Sequence, residues 1–119
     1  MADHELLVLS RPPDSVSDDI YNDWYERHVR EILALPGFAA AERLSLCFVS
    51  ATTEPPELFT FLTRYEINGT FEDAWRHLRT AVDGGRMTIP EWFGAVESQG
   101  WHCTPIGGRV TPTPDSTEA

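Results

Sequence analysis

The chain is short of cysteine, of basic residues and of long apolar runs, and each shortage closes off a class of protein. Only two cysteines, Cys47 and Cys103, occur in 119 residues. They have no metal-ligand spacing, and two thiols do not make the disulfide framework of a small secreted domain, so both are expected free. Nine basic residues stand against nineteen acidic ones, for a formal net charge of −10. Nucleic-acid phosphates and anionic membrane surfaces would be repelled, so neither is an expected partner. No segment approaches the roughly 20 apolar residues of a membrane span. The opening MADHELLVLS has neither the basic region nor the apolar core of a secretory signal. Phosphate loops, G-x-G-x-x-G motifs and nucleophile-elbow serines are missing. The expectation is a cytoplasmic protein with one domain over residues 1–106 and a flexible tail over 107–119, GGRVTPTPDSTEA, which is poor in apolar residues.

What the chain does have is one dominant amphipathic stretch, DDIYNDWYERHVREILALPGF, from Asp18 to Phe38. At roughly 100° per residue, Ile20, Tyr21, Trp24, Tyr25, Val29, Ile32 and Leu35 fill one arc of a helix. Asp19, Asn22, Asp23, Glu26, Arg27 and Arg30 fill the other. Ser15 or Ser17 can cap its start, and Pro36-Gly37 closes it after about Leu35. His28 falls in the apolar arc, one turn after Trp24. An imidazole there must find a hydrogen-bond partner or cost about 1–3 kcal/mol. A backbone carbonyl would meet that need structurally; proton transfer near neutral pH would use the same group chemically.

Around this helix the chain reads as short strands. Glu5 to Ser10 is the first. Phe38 to Val49 is the second, with Phe38, Ala40, Leu44, Leu46 and Phe48 on one face and Ala39, Ala41, Arg43, Ser45 and Cys47 on the other. A loop over 50–57 leads to a third strand from Leu58 to Ile67, whose Phe59, Phe61, Thr63, Tyr65 and Ile67 share a face. Thr70 opens a second helix ending at Val82, with an apolar stripe of Phe71, Ala74, Trp75, Leu78, Ala81 and Val82 and with His77 off the stripe in solvent. Arg86 to Ala95 is irregular, with one short turn starting at Pro90. Trp92 and Phe93 there could form a lid over a pocket or a subunit contact. Val96 to Pro105 is the fourth strand, with Trp101 and Cys103 on one face and Gly100, His102 and Thr104 on the other.

The order β-α-β-β-α-β in one short α+β domain is the ferredoxin-like pattern: a four-stranded antiparallel sheet with two helices on one face. Apolar residues on both faces of the middle strands mean that the face without helices also wants cover. A second copy of the chain would supply it, so a homodimer is expected. Tyr21-Asn22-Asp23-Trp24-Tyr25-Glu26-Arg27-His28, then Glu31 to Phe38, then Arg43, resembles the dimeric α+β barrel superfamily and within it the EthD-like proteins and related families. Many of those have proline two residues after the histidine; Arg30 stands there instead, so this helix should run on unbroken.

The resemblance implies an enzyme that acts on a bulky apolar or aromatic small molecule without metal or cofactor. His28 would be general acid or base beside a carbonyl, and Tyr65 would hold the oxyanion, with Asn22 or Arg43 assisting. Trp24, Phe59, Phe61, Trp92 and Trp101 would wall the pocket, with His102 near it. Cyclase, isomerase and lyase chemistry all fit. A cofactor-free monooxygenase, a dimer that binds or stabilises without turnover, and haem ligation through His28 or His102 are the alternatives.

Overall fold

A computed structural model describes residues 4–54 and 58–113. Residues 1–3, the 55–57 part of the second loop and the 114–119 part of the tail lie outside the described residues. The elements are β1 (His4–Arg11), α1 (Asp18–Leu33), β2 (Phe38–Ser45), β3 (Phe61–Ile67), α2 (Phe71–Asp83) and β4 (Glu97–Cys103), with a 3-10 turn at Glu91–Ala95. The sheet order is β2-β3-β1-β4, every pairing antiparallel. This is the ferredoxin-like arrangement.

Both helices start where side-chain oxygens can satisfy their free amides. Ser17 Oγ accepts from the Ile20 amide at 3.2 Å, and Thr70 Oγ1 accepts from the Asp73 amide at 3.2 Å. No proline interrupts α1 after His28, and the helix continues through Arg30 to Leu33. Ile20 departs from the wheel: in the first turn it is 56% exposed, so the buried stripe begins at Tyr21.

One face of the sheet carries the core. Leu6, Tyr65, Ile67 and Phe38 pack with Ile32 of α1 and with Ala74 and Ala81 of α2. A second cluster joins Val16, Tyr21, Trp24, Tyr25 and Phe61, with Trp92 and Phe93 against it. The strands are shorter than the sequence suggests: β2 stops at Ser45, β3 starts at Phe61 and β4 spans Glu97–Cys103. The face assignment of β2 is also corrected. The register slips between Phe38 and Ala40, so that Ala41 lies opposite Tyr65 and Arg43 opposite Thr63. A bulge adds one residue and exchanges the faces that follow. Phe38, Ala41 and Arg43 therefore share the helix side, while Ala40 and Leu44 turn to the other.

Gly37 fixes how closely α2 meets the α1–β2 turn. Its φ is +93°, and a Cβ there would come within 3.0 Å of the Ala74 Cβ. Both the left-handed backbone and the close approach demand glycine. Gly37→Ala is expected to lower unfolding free energy by about 1–3 kcal/mol. Urea unfolding reads this as a lower midpoint at constant slope; an unchanged midpoint would show that α2 can step back from the turn.

Candidate functional site

A cavity of about 320 Å³ lies between the helices and the helix side of the sheet. Leu6, Val8, Ser10, Ser98 and Gly100 form its floor, Tyr21, Tyr25, His28 and Ile32 of α1 one wall, and Trp75, Leu78, Arg79 and Val82 of α2 the other. Ile89, Phe93 and Val96 close the remaining side, and Tyr65 reaches in from β3. The volume is at the small end of ligand sites, and the lining is mostly apolar with a few polar groups, as in such sites generally.

His28 is buried on the inner face of α1. Trp24, one turn earlier, stacks on its ring at 4.6 Å between centroids with 17° between planes. Tyr25 meets it edge-on at 5.6 Å. Its Nδ1 is shielded from solvent with no hydrogen-bond partner among the described residues. The nearest charge is Glu31 Oε1 at 3.9 Å, beyond hydrogen-bonding distance. The backbone-carbonyl tether that a structural histidine would use is therefore not made at Nδ1, and Nε2 is left as the nitrogen a ligand can reach. Burial lowers the pKa of His28 below its ordinary value, and the Glu31 carboxylate opposes part of that shift.

That shift has a stability consequence. The native imidazole holds its proton less tightly than the unfolded one, so acid favours the unfolded chain. Stability is full above the ordinary value of 6.5 and declines as pH falls from there toward the lower native value. Urea titrations at pH 7.5 and 5 are expected to show a loss in the wild type that shrinks in His28→Gln. Equal losses in both proteins would place the titration on other groups.

Glu31 carries no residue-type signal, but it ties the site together. Its carboxylate accepts from the Thr88 amide at 3.2 Å and from Thr88 Oγ1 at 3.0 Å. Trp24 Nε1 donates to the Thr88 carbonyl at 2.9 Å. Two residues of α1 thus grip Thr88 and hold Ile89 and Phe93 against the cavity. No local sequence pattern marks Glu31, because its partner Thr88 is 57 positions away.

Tyr65 presents its ring to the cavity, but its hydroxyl is shielded and makes no hydrogen bond among the described residues. Burial, then the neighbouring Tyr25, raises its pKa far above the ordinary phenol value. Tyr21 Oη donates to Ser10 Oγ at 2.7 Å, and burial pushes the Tyr21 phenol up to about 12. Both phenols are neutral near pH 7, so neither serves as a base there.

Asn22 and Arg43 meet each other, not His28. Arg43 Nη1 donates to Asn22 Oδ1 at 2.7 Å, and its guanidinium lies 4.2 Å from the Tyr25 ring centroid. With Glu26, Val29 and Ala41 they line a separate hollow beside β2. Phe61 packs in the second core cluster beneath Tyr21. Phe59 precedes β3, is half-buried and is not among the residues lining the cavity. Trp92 packs on Tyr21 and Trp24, while its neighbour Phe93 faces the cavity. Trp101 lies opposite Leu7 on the bare side of the sheet, 58% exposed, and so is not part of the cavity wall. His102 stands on the helix side opposite Leu6, stacked on Phe71 at 4.0 Å. His77 is half-buried and not solvated as expected: its Nδ1 is shielded and without a partner among the described residues. Among the described residues no group of three or more His, Cys, Asp or Glu side chains is placed to hold a metal ion, and no helix is long and apolar enough to cross a membrane.

The fold and this site define an α+β protein of the ferredoxin-like class with a small apolar cavity between its helices and sheet. A dimeric ferredoxin-like protein of unknown function from Thermobifida fusca YX has a similar structure, with a TM-score of 0.51 and 14% identity over 86% of this chain and 90% of that one. No family model and no curated protein matches the chain.

Proposed function

We propose that the protein is a homodimer of the EthD-like kind that takes a small apolar or aromatic molecule into the cavity and moves a proton on it through His28, without a cofactor. The observation that carries this reading is the imidazole of His28, which lines an apolar cavity and whose shielded Nδ1 makes no hydrogen bond among the described residues, with Glu31 behind it. Burial keeps the ring neutral at pH 7 and so free to accept a proton. Glu31 offers the charge that a protonated intermediate would need at Nδ1. A carbonyl compound would give up the proton next to its carbonyl to Nε2, and the same nitrogen would return it at another carbon, to the alkoxide formed on ring closure, or to a leaving group. Isomerisation, cyclisation and elimination differ only in that second step. Ser10, Ser98, Arg79 and the tyrosine phenols also line the cavity, and Ser10 Oγ, which accepts from Tyr21, keeps its own proton for a developing oxyanion.

Homodimerisation is supported by the exposed apolar row on the sheet side away from the helices, and by the dimeric state of the Thermobifida fusca protein. A cytoplasmic setting accords with the free thiols of Cys47 and Cys103.

The test is hydrogen–deuterium exchange next to the carbonyl in a panel of small cyclic ketones, lactones and aryl ketones, followed by NMR in D₂O. The wild type is expected to exchange at least one of them, and His28→Gln to lose about 10²–10⁴-fold of that rate. Ligand-induced shifts of cavity residues with no exchange at any pH in the wild type would establish a binding protein instead. That second reading is favoured by one observation, the shielded hydroxyl of Tyr65.

A further inference from the structure

Away from the cavity, the fold brings together two histidines that the sequence keeps 98 positions apart. His4 begins β1 and His102 lies near the end of β4. Glu5 pairs with Cys103 and Leu6 with His102, which puts His4, His102 and Thr104 on the same side of the sheet at its end. His102 Nε2 lies 3.0 Å from His4 Nδ1, and Thr104 Oγ1 lies 3.4 Å from the same Nε2. The rings are 5.0 Å apart and tilted by 54°. Phe71 lies flat against His102, with 7° between planes, and Trp75 stacks on Phe71 at 5.9 Å. That packing holds His102 on one face without using either of its nitrogens.

From this pair we infer a surface site for a borderline divalent transition cation, Zn²⁺ or Cu²⁺, with His4 Nδ1 and His102 Nε2 as its two protein nitrogens. Two neutral imidazoles whose nitrogens meet at 3.0 Å can share one proton or one cation. Metal–nitrogen bonds of about 2.0–2.1 Å, set at a right or tetrahedral angle, require nitrogens roughly 2.9–3.4 Å apart, so the observed spacing already suits a cation. Imidazole is the ligand such ions prefer over water and carboxylate. Thr104 Oγ1 stands where a metal-bound water would want a hydrogen-bond partner. His4 is half-buried and His102 exposed on the side away from Phe71, which leaves the other coordination positions to solvent or to a small anion. The net charge of −10 raises the local concentration of cations.

Calorimetric titration of the full chain with Zn²⁺, repeated with Cu²⁺, at pH 7.5 tests the site. One equivalent is expected to bind, and His4→Gln and His102→Gln are each expected to weaken it at least tenfold. The double variant should be no weaker than the weaker single one, and His77→Gln should bind like the wild type. Cu²⁺ should also quench Trp75 fluorescence, measured as the difference between the wild type and Trp75→Phe, and that quenching should vanish in the double variant. Circular dichroism confirms that each variant is folded. Wild-type affinity in the double variant would overturn the site. So would loss in His4→Gln with no change in His102→Gln, since that pattern puts the metal on His4 and main-chain nitrogens instead of on the histidine pair.

Discussion

Trp24→Ala is expected to remove about 3–5 kcal/mol of stability, the cost of emptying a large buried aromatic site. A domain of this size has about 5–15 kcal/mol in total, so the loss is a large fraction of its stability. The indole is almost completely buried and touches the rings of Tyr21, Tyr25, His28, Trp92 and Phe93. It also satisfies the Thr88 carbonyl, which alanine would leave without its donor. Trp24→Phe keeps the ring and loses only that hydrogen bond and some volume, and is expected to cost about 1–2 kcal/mol. Thermal unfolding by circular dichroism measures both. Similar losses in the two variants would mean that the hydrogen bond to Thr88, and not the aromatic cluster, holds this part of the molecule together.

Leu62→Asp is expected to split the proposed homodimer into monomers while leaving each chain folded. Leu62 lies opposite Leu9 on one side and Leu44 on the other, so three leucines form a row across the side of the sheet that has no helices. Leu7 and Trp101 make the next pair along it, and Leu44 and Trp101 are 41% and 58% exposed. Ion pairs of Arg64 with Glu42 and of Arg11 with Glu97 flank the row. An apolar centre with a polar surround is what a subunit interface requires. About a twofold axis the substitution buries two carboxylates, one from each chain, at roughly 2 kcal/mol or more apiece, so dimer affinity should fall by about 10³-fold. Analytical ultracentrifugation decides the matter: a wild type that sediments as a monomer, or a Leu62→Asp protein that remains dimeric, would move the interface off this face.

Much of this was legible before folding. The arc from Tyr21 to Ile32 set out the inner face of α1 and put His28 on it, since helix periodicity is rigid enough to project forward. Element order gave the ferredoxin-like topology. The face of β2 was not legible. Strict alternation groups Phe38 with Ala40 and Leu44, but the slip between Phe38 and Ala40 reverses it, and three consecutive alanines offer no contrast that would reveal the slip. Alternation in β4 separated Trp101 from His102 correctly, yet did not say which side faced the helices, because Gly100 and Ser98 on the inner side are too small to mark it. Alternation in β3 groups Tyr65 with Phe61, Thr63 and Ile67 on one face, whereas the shielding of its hydroxyl depends on Tyr25 and Arg43 packing over β3. The meeting of His4 with His102 likewise needs the β1–β4 ladder, which no local pattern announces.

The order β2-β3-β1-β4 also bears on how the molecule comes into being. The chain looks like two similar pieces in succession, each a strand, a helix and a strand. Yet β1 and β2 are not neighbours, and neither are β3 and β4. Every ladder of the sheet, β1 with β3, β1 with β4 and β2 with β3, joins one piece to the other. A nascent first piece therefore has no strand pairing to make, and its central strand waits for Glu97–Cys103 near the other end of the described chain. The apparent repeat is thus not a pair of foldable modules. Folding must be a single, late, cooperative event dominated by contacts between distant residues, slow for a domain of this length.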